Sequence, residues 1–204
     1  MKQICMILVS LVLMTFTGPG GFAAETAKTS LEALQAAFNG ESNANAKYLA
    51  FANKADEDGY AGVASLFRAA AKAEEVHLTN HAAVIRRMGA EPKADIKTPE
   101  VKNTMENLQA AQKGEIYERD EMYPAFIKLA QQEKNSDAQK TFRFALAAEG
   151  GHARLYGEAL NNLENDKIAK EFMVCPVCGY TAVTLTGSAC PVCATPAEKF
   201  IKIK

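Results

Sequence analysis

The sequence predicts an all-α fold: an antiparallel four-helix bundle with a small metal ribbon at its C-terminal end. Three observations carry this. Apolar residues recur at helical spacing from Thr29 to about Glu164, and turn-forming residues fall between long segments. The composition is rich in Ala, Glu, Lys and Gln and has no tryptophan, which favours helix over sheet. Four of the five cysteines stand in two C-x-x-C pairs, "CPVCGY" at 175–180 and "CPVCA" at 190–194.

The 204 residues suit one medium domain with an appendage. A net charge of −1 without a basic stripe gives no footing for nucleic acid, so none is expected as a partner.

At the N-terminus, Lys2 precedes an apolar run from Ile4 to Phe16 and then Gly, Pro and small residues. This is the layout of a secretory signal peptide, with cleavage expected near Ala23 or Ala24. The run is short of the roughly 20 residues that span a bilayer; an uncleaved anchor reaching Phe22 is the alternative. Residues 1–24 are thus expected to be a signal peptide, giving a periplasmic or otherwise exported protein without a membrane contact after cleavage. No arginine pair precedes the run, so export before folding and metal uptake afterwards are expected.

The bundle is expected over residues 25–165. Its first helix runs from Ser30 to Glu57 and breaks at "DEDGYAG"; the second runs from about Val63 to Met88 and stops at Gly89. "AEPKADIKTPE" is a connector, and Thr98 before Pro99 and Glu100 predicts the cap of a third helix. That helix is expected to reach about Glu133, kinked at Pro124. "KNSDAQ" separates it from a fourth, about Ser136 to Asn162. Residues 165–173 join the bundle to the cysteine unit, placed at 171–204.

In that unit, eleven residues separate Cys178 from Cys190. In an exported protein the four thiols could form two disulfides. Paired C-x-x-C loops with a glycine after the first are better read as two knuckles that set Cys175, Cys178, Cys190 and Cys193 around one tetrahedral metal.

In the bundle, Glu149 and His152 in "FALAAEGGHARLY" are three apart, on one helix face, and can hold one metal. The spacing recurs as Glu74 and His77 in "KAEEVHLTNH". A dinuclear site needs an inward carboxylate from each of the other two helices. Glu41 in "AFNGESNANAKY" and Glu115 or Glu118 in "AQKGEIYERDEMYP" supply them. Glu41 precedes Glu74 by 33 residues and Glu115 precedes Glu149 by 34, so the chain reads as two related helical hairpins. Hard carboxylates that can bridge, together with imidazoles, suit two irons. Clustered acids facing a core are costly without cations. His81, four residues after His77, lacks the glutamate spacing and is expected at the surface or behind the ligands.

The ordered set "GESNANAKY", "EEVH", "GEIYERDEMYP", "EGGH" and "CPVCGY…CPVC" resembles the rubrerythrin family over nearly the whole chain after the signal. The resemblance implies a ferritin-like diiron bundle followed by a rubredoxin-like domain with one iron on the four cysteines. It implies Glu41, Glu74, His77, Glu115, Glu118, Glu149 and His152 as the diiron ligands. Glu74 and His77 would serve one iron, and Glu149 and His152 the other. Glu118 would take part in a redox-linked change in which one iron exchanges a glutamate for His77. Tyr48 and Tyr123 fall where the family keeps tyrosines beside the cluster.

The implied activity is a non-haem diiron peroxidase that reduces hydrogen peroxide to water in defence against oxidative stress. Electrons from an unidentified donor would pass through the four-cysteine iron. A head-to-tail homodimer is expected from the same likeness. Zinc in the cysteine site would make the same tetrahedron without carrying electrons. The alternatives are a ferroxidase or oxidase using dioxygen, and an iron-binding or storage protein.

Overall fold

A computed structural model describes residues 27–204. The expected signal peptide, residues 1–24, lies outside the described residues. Among the described residues no helix is long and apolar enough to cross a membrane.

Helix α1 spans Ser30–Glu57, with Thr29 accepting the Glu32 N–H in its first turn. Gly59, at φ +83°, turns the chain into α2, Ala61–Arg87. These two helices, and α5 at Ser136–Asn161, lie within two residues of their sequence expectations. Asn135 caps α5 by accepting the Ala138 N–H at 3.0 Å.

The third helix departs from expectation. It begins at Thr104, capped by Asn103, rather than at Pro99 with Thr98 as cap. Side chains elsewhere in the fold hold the chain before it in extended form. Gln35, Asn39 and Asn43, one turn apart on α1, accept the N–H groups of Lys93, Asp95 and Lys97. Asn107 clasps both the N–H and the carbonyl of Lys102. Backbone groups bound to such side chains are unavailable to a helix. The Asp58 carboxylate accepts from the Thr104 N–H and hydroxyl, tying the start of α3 to the first hairpin.

Helix α3 ends at Tyr117; a π-helical turn, Glu118–Met122, leads into α4, Tyr123–Gln132. Pro124, expected as a kink, stands in the first turn of α4. Its missing N–H falls where the hydrogen-bond register shifts out of the wider turn.

Helix α2 is buried on nearly every side, Ala69, Ala70, Ala71 and Ala73 included. It packs against α1, α5 and the strands of the C-terminal unit, and the run of small alanines lets these neighbours approach closely. That unit is a three-stranded antiparallel sheet in the order β2-β1-β3: β1 Phe172–Val174, β2 Thr181–Ala182, β3 Ile201–Ile203. Gly62 donates its N–H to Asp166 O at 3.0 Å, where a Cβ would collide with the joining segment.

Candidate metal centres

The bundle core consists of two apolar clusters. One gathers Tyr48, Phe51, Phe67 and Tyr156; the other gathers Tyr123, Phe126 and Phe142. Between them along the helices lie Glu41 from α1, Glu74 and His77 from α2, Glu115 from α3, and Glu149 and His152 from α5, all buried. The i, i+3 spacing brings each histidine beside its own glutamate. His77 Nδ1 is 2.8 Å from Glu74 Oε2, and His152 Nδ1 is 2.9 Å from Glu149 Oε2. Across the bundle, His77 Nδ1 is 3.1 Å from Glu149 Oε1 and His152 Nδ1 is 3.4 Å from Glu115 Oε2.

These donors form two overlapping groups. Donor atoms of Glu41, Glu74, His77 and Glu149 lie within 4.8 Å of one another, as do those of Glu74, Glu115, Glu149 and His152. Glu74 and Glu149 belong to both. The family resemblance allots one of them to each iron; in the structure each has donor atoms within reach of both groups.

Among the described residues, Glu41 Oε2, Glu74 Oε1, Glu115 Oε2, both oxygens of Glu149 and Nδ1 of His152 make no hydrogen bond. Buried carboxylate oxygens left this way are costly, and a pair of cations with hard-donor preference answers them all. Without metal, protons do part of that work. Burial, then Glu74, pushes the Glu149 carboxyl up to about 7. Burial, then the neighbouring carboxylates, raises Glu41 well above its usual range. Burial alone would lower the two histidines, but the surrounding glutamates hold both well above the ordinary imidazole value. Glu115 goes the other way: burial pushes it up, and His152 with the Tyr48 hydroxyl brings it net below a normal carboxyl.

Both expected tyrosines are present, and they cross over. Tyr48 of the first hairpin donates to Glu115 Oε1 of the second at 2.6 Å, and Tyr123 of the second donates to Glu41 Oε1 of the first. Tyr48 follows Glu41 by seven residues, two helical turns, while Tyr123 follows Glu115 by eight. The π turn absorbs the extra residue and returns Tyr123 to the inner face.

Glu118 stands on that π turn, half-buried, and belongs to neither donor group. Burial, then Glu115, Glu149 and Glu74, raises its carboxyl; Lys47 opposes them. The Lys47 ammonium sits 4.9 Å over the Tyr48 ring. His81 is not at the surface, one of the two places expected for it. It is fully buried behind the Glu41 side, against Tyr123 and Thr141.

The cysteine unit gathers four free thiols. Cys175 and Cys193 Sγ are 3.5 Å apart, as are Cys178 and Cys190, and all four lie within 4.8 Å. Disulfides would need about 2.05 Å, whereas a tetrahedron of thiolates at about 2.3 Å from a metal has edges of roughly 3.8 Å. Gly179 at φ +78° and Ala194 at φ +60° close the two knuckles, donating to the carbonyls of Cys175 and Cys190. Hydrogen bonding from Cys178 brings the Cys175 thiol down to about 4, poising it as a thiolate.

No motif in the chain foretells how this unit sits. His77 Nε2 is 3.1 Å from the Cys178 carbonyl oxygen, and Asn80 donates to Val177 O. His152 Nε2 is 3.1 Å from Thr181 Oγ1, whose hydroxyl donates to Gly179 O. Both histidines therefore present Nε2 to the cysteine unit and Nδ1 to the carboxylates. The approach of the two centres, expected between subunits, is made here within one chain. Tyr156, Thr141 and Thr181 were missed. Tyr156 had a signal, because it follows Glu149 by seven residues as Tyr48 follows Glu41; Thr141 and Thr181 had none.

The rubrerythrin family model matches residues 32–160. Nigerythrin of Nitratidesulfovibrio vulgaris is 41% identical over 84% of this chain and 85% of its own length. A solved structure described as the fully reduced, all-ferrous state of nigerythrin superposes with a TM-score of 0.81 at 37% identity, covering 94% of this chain and 91% of that one. The bacterioferritin BfrA of Mycobacterium tuberculosis shares the ferritin-like fold, with a TM-score of 0.61 at 17% identity over 67% of this chain and 86% of its own.

Proposed function

This chain belongs to the rubrerythrin family, and we propose that it is a non-haem diiron peroxidase that reduces hydrogen peroxide to water in defence against oxidative stress. The observation that carries the reading is the seating of a four-thiol centre directly against both histidines of a six-donor carboxylate site. A storage site has no use for such a contact; an enzyme that must be re-reduced after each turnover does.

The residues fit two irons in the bundle and one on the cysteines. Glu41 and His77 would hold one bundle iron, Glu115 and His152 the other, with Glu74 and Glu149 between them. Two ferrous ions held there would supply the two electrons that reduction of peroxide to water requires.

Peroxide, two electrons and two protons give two waters. Glu118 would be the proton carrier: in the metal-free fold burial and then three neighbouring carboxylates raise its carboxyl well above its ordinary value, and it lies outside the two donor groups. We also give it the exchange with His77 that the family resemblance implies. Tyr48 and Tyr123 hold Glu115 and Glu41 through one oxygen each, leaving Oε2 of each toward the metals. The Cys178 carbonyl and the His77 ring would form a hydrogen-bonded route inward from the thiolates.

The layout of residues 1–24 supports export to the periplasm, where an unidentified donor would supply the electrons. We also propose the head-to-tail homodimer that the family resemblance implies.

Stopped-flow mixing of the diferrous protein with peroxide and, separately, with dioxygen tests the reaction. Oxidation at least tenfold faster with peroxide is expected. Faster oxidation by dioxygen would make the protein an oxidase.

A further inference from the structure

Two turns beyond its metal-facing glutamate, each hairpin carries one more buried ring on the inner face: His81 seven residues after Glu74, and Tyr156 seven after Glu149. They hold matching places behind the crossed tyrosines. His81 lies behind Tyr123, with ring centroids 6.1 Å apart, and Tyr156 lies beside Tyr48 at 5.7 Å. Their chemistry differs. The Tyr156 ring stands beside another phenol, Tyr48, whereas both ring nitrogens of His81 are engaged by hydroxyls.

The direction of those bonds follows from the donors available. Once a cation holds Glu41 as a carboxylate, its Oε1 only accepts, so the single hydroxyl proton of Tyr123 points at it. The Tyr123 oxygen must then accept from His81, whose Nε2 is 3.2 Å away. With its proton on Nε2, neutral His81 has a bare Nδ1, which takes the hydroxyl proton of Thr141 at 3.0 Å. The ring is fully buried, which disfavours its charged form.

We infer that His81, with its tautomer set by Thr141, is a positioning residue that locks the Tyr123 hydroxyl onto Glu41 Oε1 and so presents Glu41 Oε2 to the metal beside His77. Such outer hydrogen bonds orient a ligand before the metal arrives. Behind Glu115 the corresponding place is taken by Tyr156 beside Tyr48, not by an imidazole with its own hydroxyl partner, so the two metal positions are unequally supported. The inference rests on the diiron site proposed above, and it is independent of which oxidant that site uses.

The test is anaerobic release of ferrous iron from the full-length, iron-loaded protein to a chelator. In His81→Phe and Thr141→Val, one of the two bundle irons is expected to leave about tenfold faster, in line with the effect of outer-ligand substitutions. The second bundle iron and the cysteine iron should be unchanged. His81→Gln, whose amide can donate to Tyr123 and accept from Thr141, should keep the wild-type rate. In a Tyr123→Phe background, His81→Phe should add nothing. If His81→Phe does not fold, Thr141→Val, nearly isosteric, carries the comparison.

Nitrogen-15 spectra of the zinc-substituted protein should show the proton of His81 on Nε2, and a mixture of tautomers in Thr141→Val. Equal loosening in His81→Gln and His81→Phe, loosening of both bundle irons alike, or a proton on Nδ1 would each overturn the inference. A wild-type chain that holds no bundle iron would overturn the diiron reading itself, and this inference with it.

Discussion

The Nε2 of His77 and the carbonyl oxygen of Cys178 lie 3.1 Å apart, joining a candidate iron ligand of the bundle to the backbone of a cysteine knuckle. The contact depends on Gly179. Its φ of +78° disfavours a side chain, and a Cβ there would collide with His77 Nε2. Gly179→Ala should therefore unseat the knuckle from the bundle while leaving the four thiols free to bind iron. The expected result is normal ferric-thiolate absorption with peroxide turnover, driven by an external reductant, at least tenfold slower. Unchanged turnover would show that the contact carries no electrons.

Thr181 makes the parallel contact to the other histidine, at 3.1 Å from His152 Nε2. Thr181→Val keeps the shape and removes the oxygen, leaving a buried imidazole N–H without a partner. A cost of about 1–3 kcal/mol follows for an unmet buried donor, and part of it should appear as weaker metal binding. Ferrous titrations should give roughly tenfold lower affinity at one bundle position. Thr181→Ser should restore it.

Much of this was legible in the chain. The ends of α1, α2 and α5 follow from periodicity and punctuation, and the two E-x-x-H pairs name four members of the two donor groups, because three residues along a helix is a fixed geometric step. What escaped depends on groups distant in sequence. Thr98, Pro99 and Glu100 are a sound local start signal, overridden because amides on α1 and Asn107 capture the backbone on either side of them. The chain left His81 either at the surface or behind the ligands, since the partners that decide it, Tyr123 and Thr141, are 42 and 60 residues away. The π turn left one trace, the extra residue between Glu115 and Tyr123.

The cysteine site can be separated from the bundle chemistry by substitution. Replacing Cys175 and Cys178 with serine should abolish the red ferric-thiolate colour, since two of four tetrahedral ligands are lost. A single peroxide oxidation of the pre-reduced bundle should keep its wild-type rate, because Glu41, Glu74, Glu115 and Glu149 are untouched. Repeated turnover should fall to near background. Retained turnover would mean that the donor reaches the bundle directly.

Removing the metal should invert the pH dependence of stability. In the metal-free fold Glu149 titrates at about 7, above the 4.5 of an unperturbed carboxyl. A raised value means that the folded state holds the proton more tightly, so its contribution is full below about 4.5 and is lost as pH rises through 7. His77 and His152, also raised, act in the same direction at higher pH. Glu115, lowered, gives its full contribution above its ordinary value and adds no slope in this range. The urea midpoint of the metal-free protein should therefore fall between pH 5 and pH 8. With iron bound, the cations take the place of these protons, and binding strengthens as protons leave. The midpoint of the loaded protein should rise or stay level over the same range. A metal-free midpoint that rose in parallel with the loaded one would mean that the four glutamates are not held together as a proton-sharing cluster.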